Sequence, residues 1–211
     1  MSVSALRVVF IYSLLTLPLS AQGFNFNIGA GPAFPLGETN HFTHTSYNFV
    51  VGGGHNLFPH VNLDAEFMFH GLPVDRSVVN QLGLSNVKGR LYSLTSNLVI
   101  GSSIGGRTNA YLIGGGGWYR RTMEAKQIVL KVGEVCEPWW WWDAQCVNGI
   151  VSSEETVGSL TSSAGGFNVG GGVTFQLGES STNFYVEVRY HRAFTNKVET
   201  TVLPITFGLR W

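Results

Sequence analysis

The fold is decided by one ten-residue stretch, Val61-Asn62-Leu63-Asp64-Ala65-Glu66-Phe67-Met68-Phe69-His70. Its odd positions carry only apolar side chains, and most of its even positions carry polar ones. Successive side chains of a β-strand point to opposite faces, so this pattern predicts a strand with one apolar and one polar face. The stretch also has the length, about 9 to 11 residues, with which a tilted strand crosses a lipid bilayer.

The same alternation recurs in seven further segments of about ten residues each. Their ranges are 24–34, 47–54, 90–101, 109–121, 167–177, 184–191 and 203–211. The segment 109–121 is apolar on both faces, so which of its residues face inward stays open. The connections alternate between long and short, and the third long one, about 123–163, is expected to be an external loop. Eight such segments with alternating connections are typical of an antiparallel barrel that spans a membrane.

Composition supports a membrane barrel over a water-soluble one. The 211 residues include 13 basic and 13 acidic side chains, so the chain has no net charge with which to attract nucleic acid. Charged residues make up 12% of the chain, about half the usual share, which argues against most ordinary soluble enzymes. A soluble barrel would need a charged outer coat. The polar faces here consist mostly of Asn, Ser, Thr and Gly, which would make a poor coat.

The first 21 residues are expected to be a secretory signal peptide. Arg7 precedes an apolar run from Val8 to Leu19, and small residues follow it up to Ala21, where cleavage is expected. The barrel would then comprise residues 22–211. Beyond the signal peptide no apolar stretch approaches 18 residues, so no transmembrane helix is expected.

Three segments carry a resemblance to a known family. They are 111–119 with its glycines and aromatic residues, 184–190, and the terminal strand, whose Ile205, Phe207, Leu209 and Trp211 share one face. The chain resembles the OmpA/OmpX-type outer-membrane β-barrels. The resemblance implies an all-β, eight-stranded, antiparallel up-and-down transmembrane barrel, monomeric, in the outer membrane of a Gram-negative bacterium. It also implies termini in the periplasm, long loops outside, contact with lipid and lipopolysaccharide, and recognition of the terminal strand by the barrel-assembly machinery.

Charged residues on the inward faces are expected to form a polar network. The candidates are Asp64, Glu66, Glu187, Arg189, His191 and Arg210. The interior of an eight-stranded barrel is just wide enough for side chains to fill it, and buried charge is costly unless it is paired. We therefore expect Glu66 or Asp64 to pair with Arg189 or Arg210 and plug the lumen. The alternative is a gated path for ions or solutes lined by the same groups.

The third long connection holds Cys136 and Cys146, the two cysteines of the chain, on either side of Trp139, Trp140, Trp141 and Trp142. In an exported protein this pair is expected to form a disulfide. Tryptophan is favoured both at binding anchors and at membrane interfaces. The four rings therefore predict either a patch that binds an external protein or glycan, or a loop that folds back onto the barrel rim or into lipopolysaccharide.

Three patterns that suggest chemistry are better explained without it. The glycine clusters lie within strands and lack the helix and lysine of a phosphate loop, so they indicate close packing. His41 and His44 lack nearby further metal ligands. His44-Thr45-Ser46 resembles the His-x-Ser of lipid A deacylases but has no obvious acid partner in sequence.

We therefore expect no catalytic residues, no metal and no cofactor. The expected function is a non-enzymatic envelope scaffold that displays surface loops and binds through the Trp-rich connection. The alternative is a small pore for ions or hydrophobic molecules.

Overall fold

In the computed structural model the segments with alternating apolar and polar residues form a closed ring of β-strands. The model describes residues 23–140, 143–195 and 198–211. The predicted signal peptide, residues 1–21, lies outside these ranges. Eight strands form within them. They are β1 (Phe24–Leu36), β2 (Ser46–Phe58), β3 (Val61–Pro73), β4 (Asn86–Gly105), β5 (Thr108–Trp140), β6 (Asp143–Gln176), β7 (Asn183–Ala193) and β8 (Thr200–Arg210).

Each strand pairs antiparallel with the next, and β8 pairs with β1 to close the barrel. At the seam, Phe207 lies opposite Ala30. Beyond the last residue of β8, Trp211 exchanges two backbone hydrogen bonds with Phe26, of 2.9 and 3.2 Å. Closure matters because a bilayer offers backbone groups no water, so an open edge would leave N–H and C=O groups without partners. The predicted fold class is thus confirmed.

The inward and outward faces follow the predicted alternation. On β3 the polar residues Asp64, Glu66 and His70 are buried in the lumen, while Leu63 and Phe67 are exposed on the outside. The structure also settles which residues of β5 face inward. These are the odd-numbered ones, including the buried Tyr111, Ile113 and Tyr119, whereas Leu112 and Trp118 face outward.

The outer surface of the barrel is apolar, with aromatic rings towards its two ends. Side chains exposed along it include Ile28, Val51, Leu94, Leu98, Leu112 and Val169. Phe58 and Trp211 lie near one end. Near the other end Tyr47, Phe69 and Tyr92 form a row of tilted rings, with centroids 5.8 and 5.3 Å apart. An apolar band between aromatic belts is the outer surface of a barrel that sits in lipid. No helix among the described residues has the length and apolar character needed to cross a bilayer.

The two ends of the barrel differ in their connections. At the short-turn end, which also carries both ends of the described chain, tight turns join β2 to β3, β4 to β5 and β6 to β7. At the opposite, long-connection end, a 3-10 helix (Gly37–His41) lies between β1 and β2, and a short helix α1 (Arg76–Gln81) lies between β3 and β4. These two connections clasp each other through a bridge between Thr43 and Val74.

Side chains reinforce this clasp. His44 Nε2 lies 2.8 Å from Asp75 Oδ2. Asp75 also caps α1, since its carboxylate accepts a 2.7 Å hydrogen bond from the backbone N–H of Ser77. The hydrogen bonds from Ser77 lower the pKa of Asp75 below its usual value. The lowered pKa favours the ionised carboxylate, which accepts the hydrogen bonds from Ser77.

The connection of about 123–163, expected to be a long external loop, keeps its external position as a prediction. In the structure most of this segment continues β5 and β6 as a paired hairpin, with Val132 opposite Ile150 and Cys136 opposite Cys146. The neighbouring strands stop earlier, since β4 pairs with β5 only as far as Lys126 and β7 pairs with β6 only as far as Gly166. Beyond Lys126 and its partner Thr156 the two strands form a free two-stranded ribbon, residues 127–140 and 143–155. At about 3.3 Å per residue it extends about 45 Å from the barrel.

Two leucines of β5 that are equally exposed allow the lipid boundary to be tested. Leu112 is 70% exposed on the barrel wall and Leu130 is 69% exposed on the ribbon. We expect Leu112→Arg to lower the free energy of unfolding by about 2 to 4 kcal/mol, because it places a charge in lipid. Leu130→Arg should change it by less than about 0.5 kcal/mol, because that site faces water. Urea unfolding in lipid vesicles measures both, and equal effects would contradict the assignment.

Candidate functional site

The six residues predicted to face the lumen all lie there. Asp64, Glu66, Glu187, Arg189, His191 and Arg210 are buried inside the barrel. They come from β3, β7 and β8, and β3 and β7 stand on opposite sides of an eight-strand ring. Side chains from these two strands therefore meet across the interior.

The centre of the lumen is a charged triad made of Glu66, Arg189 and Glu187. The Arg189 guanidinium forms ion pairs with both carboxylates, through Nη1 to Glu66 and through Nη2 to Glu187. Glu66 is 1% exposed and Arg189 is 2% exposed. The Glu66–Arg189 pair joins β3 to β7 and so bridges the lumen from side to side. It is one of the pairings that the sequence analysis anticipated.

Neutral side chains complete the hydrogen bonding of the two carboxylates. Glu66 accepts bonds of 2.7 Å from Asn27 on β1 and of 2.7 Å from Asn97 on β4. Glu187 accepts a 3.0 Å bond from the Tyr111 hydroxyl on β5. Such bonds reduce the cost of burying charge, because they replace the water that each carboxylate loses. Sequence reasoning did not single out these three partners, although Asn27 and Asn97 stand on the polar faces that it had identified.

Glycines on facing strands make room for the triad. A Cβ at Gly52, which lies opposite Glu66, would come within 2.5 Å of the Glu66 Cγ atom. A Cβ at Gly172, opposite Tyr111, would come within 2.6 Å of the Tyr111 hydroxyl. Real Cβ atoms do not approach other atoms so closely, so these two positions require glycine. This supports the interpretation of the glycine clusters as packing positions.

Arg210 and Asp64 form a second polar layer, nearer the short-turn end. The Arg210 guanidinium stacks on Tyr111 and Tyr185, with 4.9 and 5.3 Å to the ring centroids. Such contacts stabilise a cation that lies away from water. Among the described residues Asp64 makes no ion pair within 4.0 Å, so Glu66, and not Asp64, makes the expected pairing with an arginine.

Towards the long-connection end, the triad is followed by a histidine layer and then by an apolar layer. The Tyr119 hydroxyl and His191 Nδ1 share a 3.0 Å hydrogen bond, and the His70 and His191 rings meet edge to face at 5.4 Å. Above them Leu72, Leu91, Tyr119, Ala193 and Val202 pack together, all buried. The lumen thus passes from charged to apolar along its axis.

The pairing of the two ribbon strands brings the two cysteines next to each other. Cys136 and Cys146 stand directly opposite each other in the β5–β6 register. Partners across an antiparallel ladder have Cα atoms about 4.5 to 5.5 Å apart, a separation that a disulfide can bridge. The disulfide itself remains a prediction.

Trp139 and Trp140 are the last two residues of β5, at the end of the ribbon that lies farthest from the barrel. β5 ends at Trp140 and β6 begins at Asp143. Trp141 and Trp142 lie outside the described residues, as do the side chains of Trp139 and Trp140. Binding through these four residues therefore also remains a prediction.

Outward from the barrel, the ribbon carries an apolar row on one face. Ile128, Leu130 and Val132 follow one another along β5, with Ile150 directly opposite Val132, and all four are exposed. Lys126 and Glu154 form an ion pair of 3.8 Å on the same face, and Lys131 and Glu155 form one on the opposite face. An exposed row of this kind is a common feature of surfaces that contact a partner.

The His-x-Ser motif has an acid neighbour that sequence reasoning did not find, because Asp75 lies 31 positions along the chain. His44 contacts Asp75, but the Ser46 hydroxyl donates its 2.5 Å hydrogen bond to the Gly71 carbonyl. Activation of a serine requires a hydrogen bond between the serine and its base. Among the described residues, His44 and Ser46 form no such bond.

The fold and the apolar outer surface define the class of protein, an eight-stranded β-barrel of the outer-membrane type. The resemblance to OmpA/OmpX-type barrels is thus confirmed at the level of fold.

Comparison with solved structures agrees with this class of fold. The chain is similar to Neisserial surface protein A, with a TM-score of 0.57 at 12% identity over 90% of this chain and 96% of that one. A major outer membrane protein of Thermus thermophilus gives a TM-score of 0.53 at 11% identity, covering 89% and 98% of the two chains. Ail, the attachment invasion locus protein of Yersinia pestis, gives 0.50 at 13% identity, covering 90% and 99%. No family model and no curated protein matches the sequence.

Removing the central cation should destabilise the barrel far more than removing an outer one. Arg189→Met leaves two buried carboxylates without their partner, and we expect a loss of about 3 to 5 kcal/mol in the free energy of unfolding. Adding Glu66→Gln and Glu187→Gln should restore much of that loss, because no unpaired charge remains. Arg120→Met, on the exposed outer face of β5, is the matched control. A loss no greater than that of the control, measured by urea unfolding, would show that the triad contributes little.

Proposed function

We propose that this protein is a non-enzymatic outer-membrane anchor whose occluded barrel displays the β5–β6 ribbon at the cell surface. The barrel supplies the membrane attachment and the ribbon supplies the working surface. Long connections in barrels of this type face outward and short turns face the periplasm, so the proposal places the ribbon outside and both chain ends in the periplasm.

The observation that carries the proposal is the combination of a bridged lumen with a ribbon that leaves the barrel. The triad links opposite walls of the lumen, and the apolar layer above it fills the section near the long-connection end. Such an interior favours a scaffold over a conduit, because a passing ion would have to break two buried ion pairs. The ribbon, in contrast, presents about 45 Å of strand that contributes nothing to the barrel wall.

The expected binding surface on this ribbon is its Trp-rich end, residues 139–142. Aromatic side chains are enriched at binding hot spots because they combine a large contact area with little conformational freedom. A Cys136–Cys146 disulfide would hold the two strands together close to both bounds of the tryptophan run. The partner class that this surface fits is an external protein or glycan.

One observation favours a second candidate, a small pore. At the short-turn end a cavity of about 160 Å³ is lined by polar side chains that include His60, Asn62, Thr174 and Arg210. This polar vestibule would be the entrance of a path if the triad opened. The path would have to continue through the apolar layer, in which the Tyr119 hydroxyl is the one polar side-chain group among the described residues of that layer.

Conductance in a planar bilayer separates the two candidates. The folded wild-type protein should produce no discrete current steps, because the triad and the apolar layer fill the lumen. Heat-modifiable gel mobility first establishes that the barrel has folded. Steady steps in the wild type whose size shifts on Glu66→Ala would overturn the scaffold proposal and favour the pore.

Substitution at the end of the ribbon tests the display function. Replacing Trp139, Trp140, Trp141 and Trp142 by Ser should abolish attachment of expressing bacteria to immobilised host glycans and glycoproteins, while heat-modifiable mobility stays unchanged. The matched control replaces Ile128 and Leu130, on the same ribbon, by Ser. Undiminished attachment of the tryptophan variant would refute binding through these residues, and loss in the control alone would move the site to the apolar row.

A further inference from the structure

At the long-connection end the lumen ends in a cavity of about 290 Å³ that the proposed function does not use. Its walls combine side chains of β3, β4, β5 and β6 with side chains of the first connection, of α1 and of the segment before β8. The apolar lining residues include Phe42, Val78, Leu82, Val87, Met123 and Leu160.

The cavity is closed at its inner end and open at its outer end. Leu72 lines it and also belongs to the buried apolar layer, so that layer separates the cavity from the histidines and the triad. Thr43 and Val74, which both line the cavity, bridge each other and fix its roof. Leu82 is 64% exposed and Phe42 is 46% exposed, so these two residues stand at the mouth. A ligand can therefore enter without passing through the lumen.

The polar groups of the lining are already engaged within the protein. The Thr43 hydroxyl donates a 2.7 Å hydrogen bond to the Thr39 carbonyl. Arg121 Nη1 donates bonds of 3.0 Å to the Val198 carbonyl and of 3.0 Å to the Thr200 hydroxyl. Among the described residues that line the cavity, no buried polar side-chain atom lacks a hydrogen-bond partner. The lining therefore leaves no buried polar group that a ligand would have to satisfy.

A lining of this kind selects a neutral, apolar ligand. A charged group that entered would lose its water and would have to compete with Val198 and Thr200 for Arg121, which makes its transfer costly. An apolar molecule has no such cost, and its transfer removes apolar surface from water. The flexible side chain of Met123 can adapt to the shape of such a molecule.

The volume of the cavity sets the size of the ligand. At about 30 Å³ for each water-sized group, 290 Å³ accommodates about ten such groups. Small-molecule sites begin at about 300 Å³, so the cavity stands at the lower limit of that class. Bicyclic hydrocarbons such as naphthalene and decalin match this size, whereas a membrane lipid with several acyl chains does not.

We propose that the cavity at the long-connection end is a binding site for a neutral hydrocarbon of about ten carbon atoms. Leu72 forms the floor of the site, and the surrounding contacts come from Val78, Val87, Met123 and Leu160. The site captures small apolar compounds at the mouth of an occluded barrel. It goes beyond the proposed function, since it depends neither on the ribbon tryptophans nor on conduction through the lumen.

The test is equilibrium dialysis of radiolabelled naphthalene against the folded protein in lipid nanodiscs, with empty nanodiscs at the same lipid concentration as the blank. We expect uptake beyond the blank that saturates at one naphthalene for each protein. Decalin, which has a similar size and no aromatic ring, should displace it. Pyrene, which is considerably larger, should not. Naphthoate should compete about tenfold more weakly than unlabelled naphthalene, because its carboxylate loses water on entry.

Three variants distinguish this site from partition into lipid. Val78→Phe fills the cavity and should abolish the saturable uptake. Met123→Ala enlarges the cavity and should allow pyrene to displace naphthalene. Val132→Phe, at a ribbon position that is 85% exposed, is the matched control and should bind like the wild type. Heat-modifiable gel mobility establishes that each variant is folded.

Uptake by the wild type that never exceeds the blank would overturn the proposal. Tighter competition by naphthoate than by naphthalene would overturn the neutral class of ligand. Displacement by pyrene in the wild type, or equal loss of uptake in Val78→Phe and Val132→Phe, would show that the ligand lies outside this cavity.

Discussion

The structure depends on one constraint, that backbone N–H and C=O groups have no partners in lipid except one another. A sheet of eight strands meets this constraint only by closing, and the hydrogen bonds between Phe26 and Trp211 lie where the first and last strands meet. Closure in turn fixes a narrow interior. In that interior the inward side chains of β3 and β7 reach each other. Glu66 and Arg189 therefore contact each other although 123 positions separate them in sequence.

The polar interior and the apolar exterior reverse the usual arrangement of a soluble protein. This reversal changes which contacts stabilise the fold. Apolar side chains on the barrel wall gain nothing from leaving the surface, because lipid already surrounds them. Cohesion inside comes instead from ion pairs and hydrogen bonds whose members stand on different strands, as Asn27, Asn97 and Tyr111 do around the two carboxylates. Glycines opposite the largest of these groups keep the walls close enough for the contacts to form.

Much of the barrel could be predicted from the sequence, because a strand with one polar and one apolar face repeats this pattern every two residues. The alternation in residues 61–70 correctly predicted which side chains face the lumen. It therefore also predicted Glu66 as a member of a buried ion pair. In β5 the run Gly114 to Gly117 has no side chains to alternate, so its inward face could not be chosen and Tyr111 was missed. The ribbon was not predicted as strands for another reason. The apolar Val129 stands between Ile128 and Leu130, so the alternation is weak there, and only the content of Val and Ile favours a strand. The apolar cavity lined by Phe42, Val78 and Met123 near the long-connection end could not be predicted from the sequence, because separate stretches of the chain form its walls.

The ribbon and the two ends of the described chain lie at opposite ends of the barrel, and this arrangement constrains the order of assembly. With the ribbon outside, as proposed, about 30 residues that include Glu and Lys must cross the bilayer to reach their final side. The pair between Glu66 and Arg189 leaves no opening through which a hairpin of that size could pass. In that orientation we expect the ribbon to cross before the triad forms, so that the ion pairs are completed last and make insertion difficult to reverse.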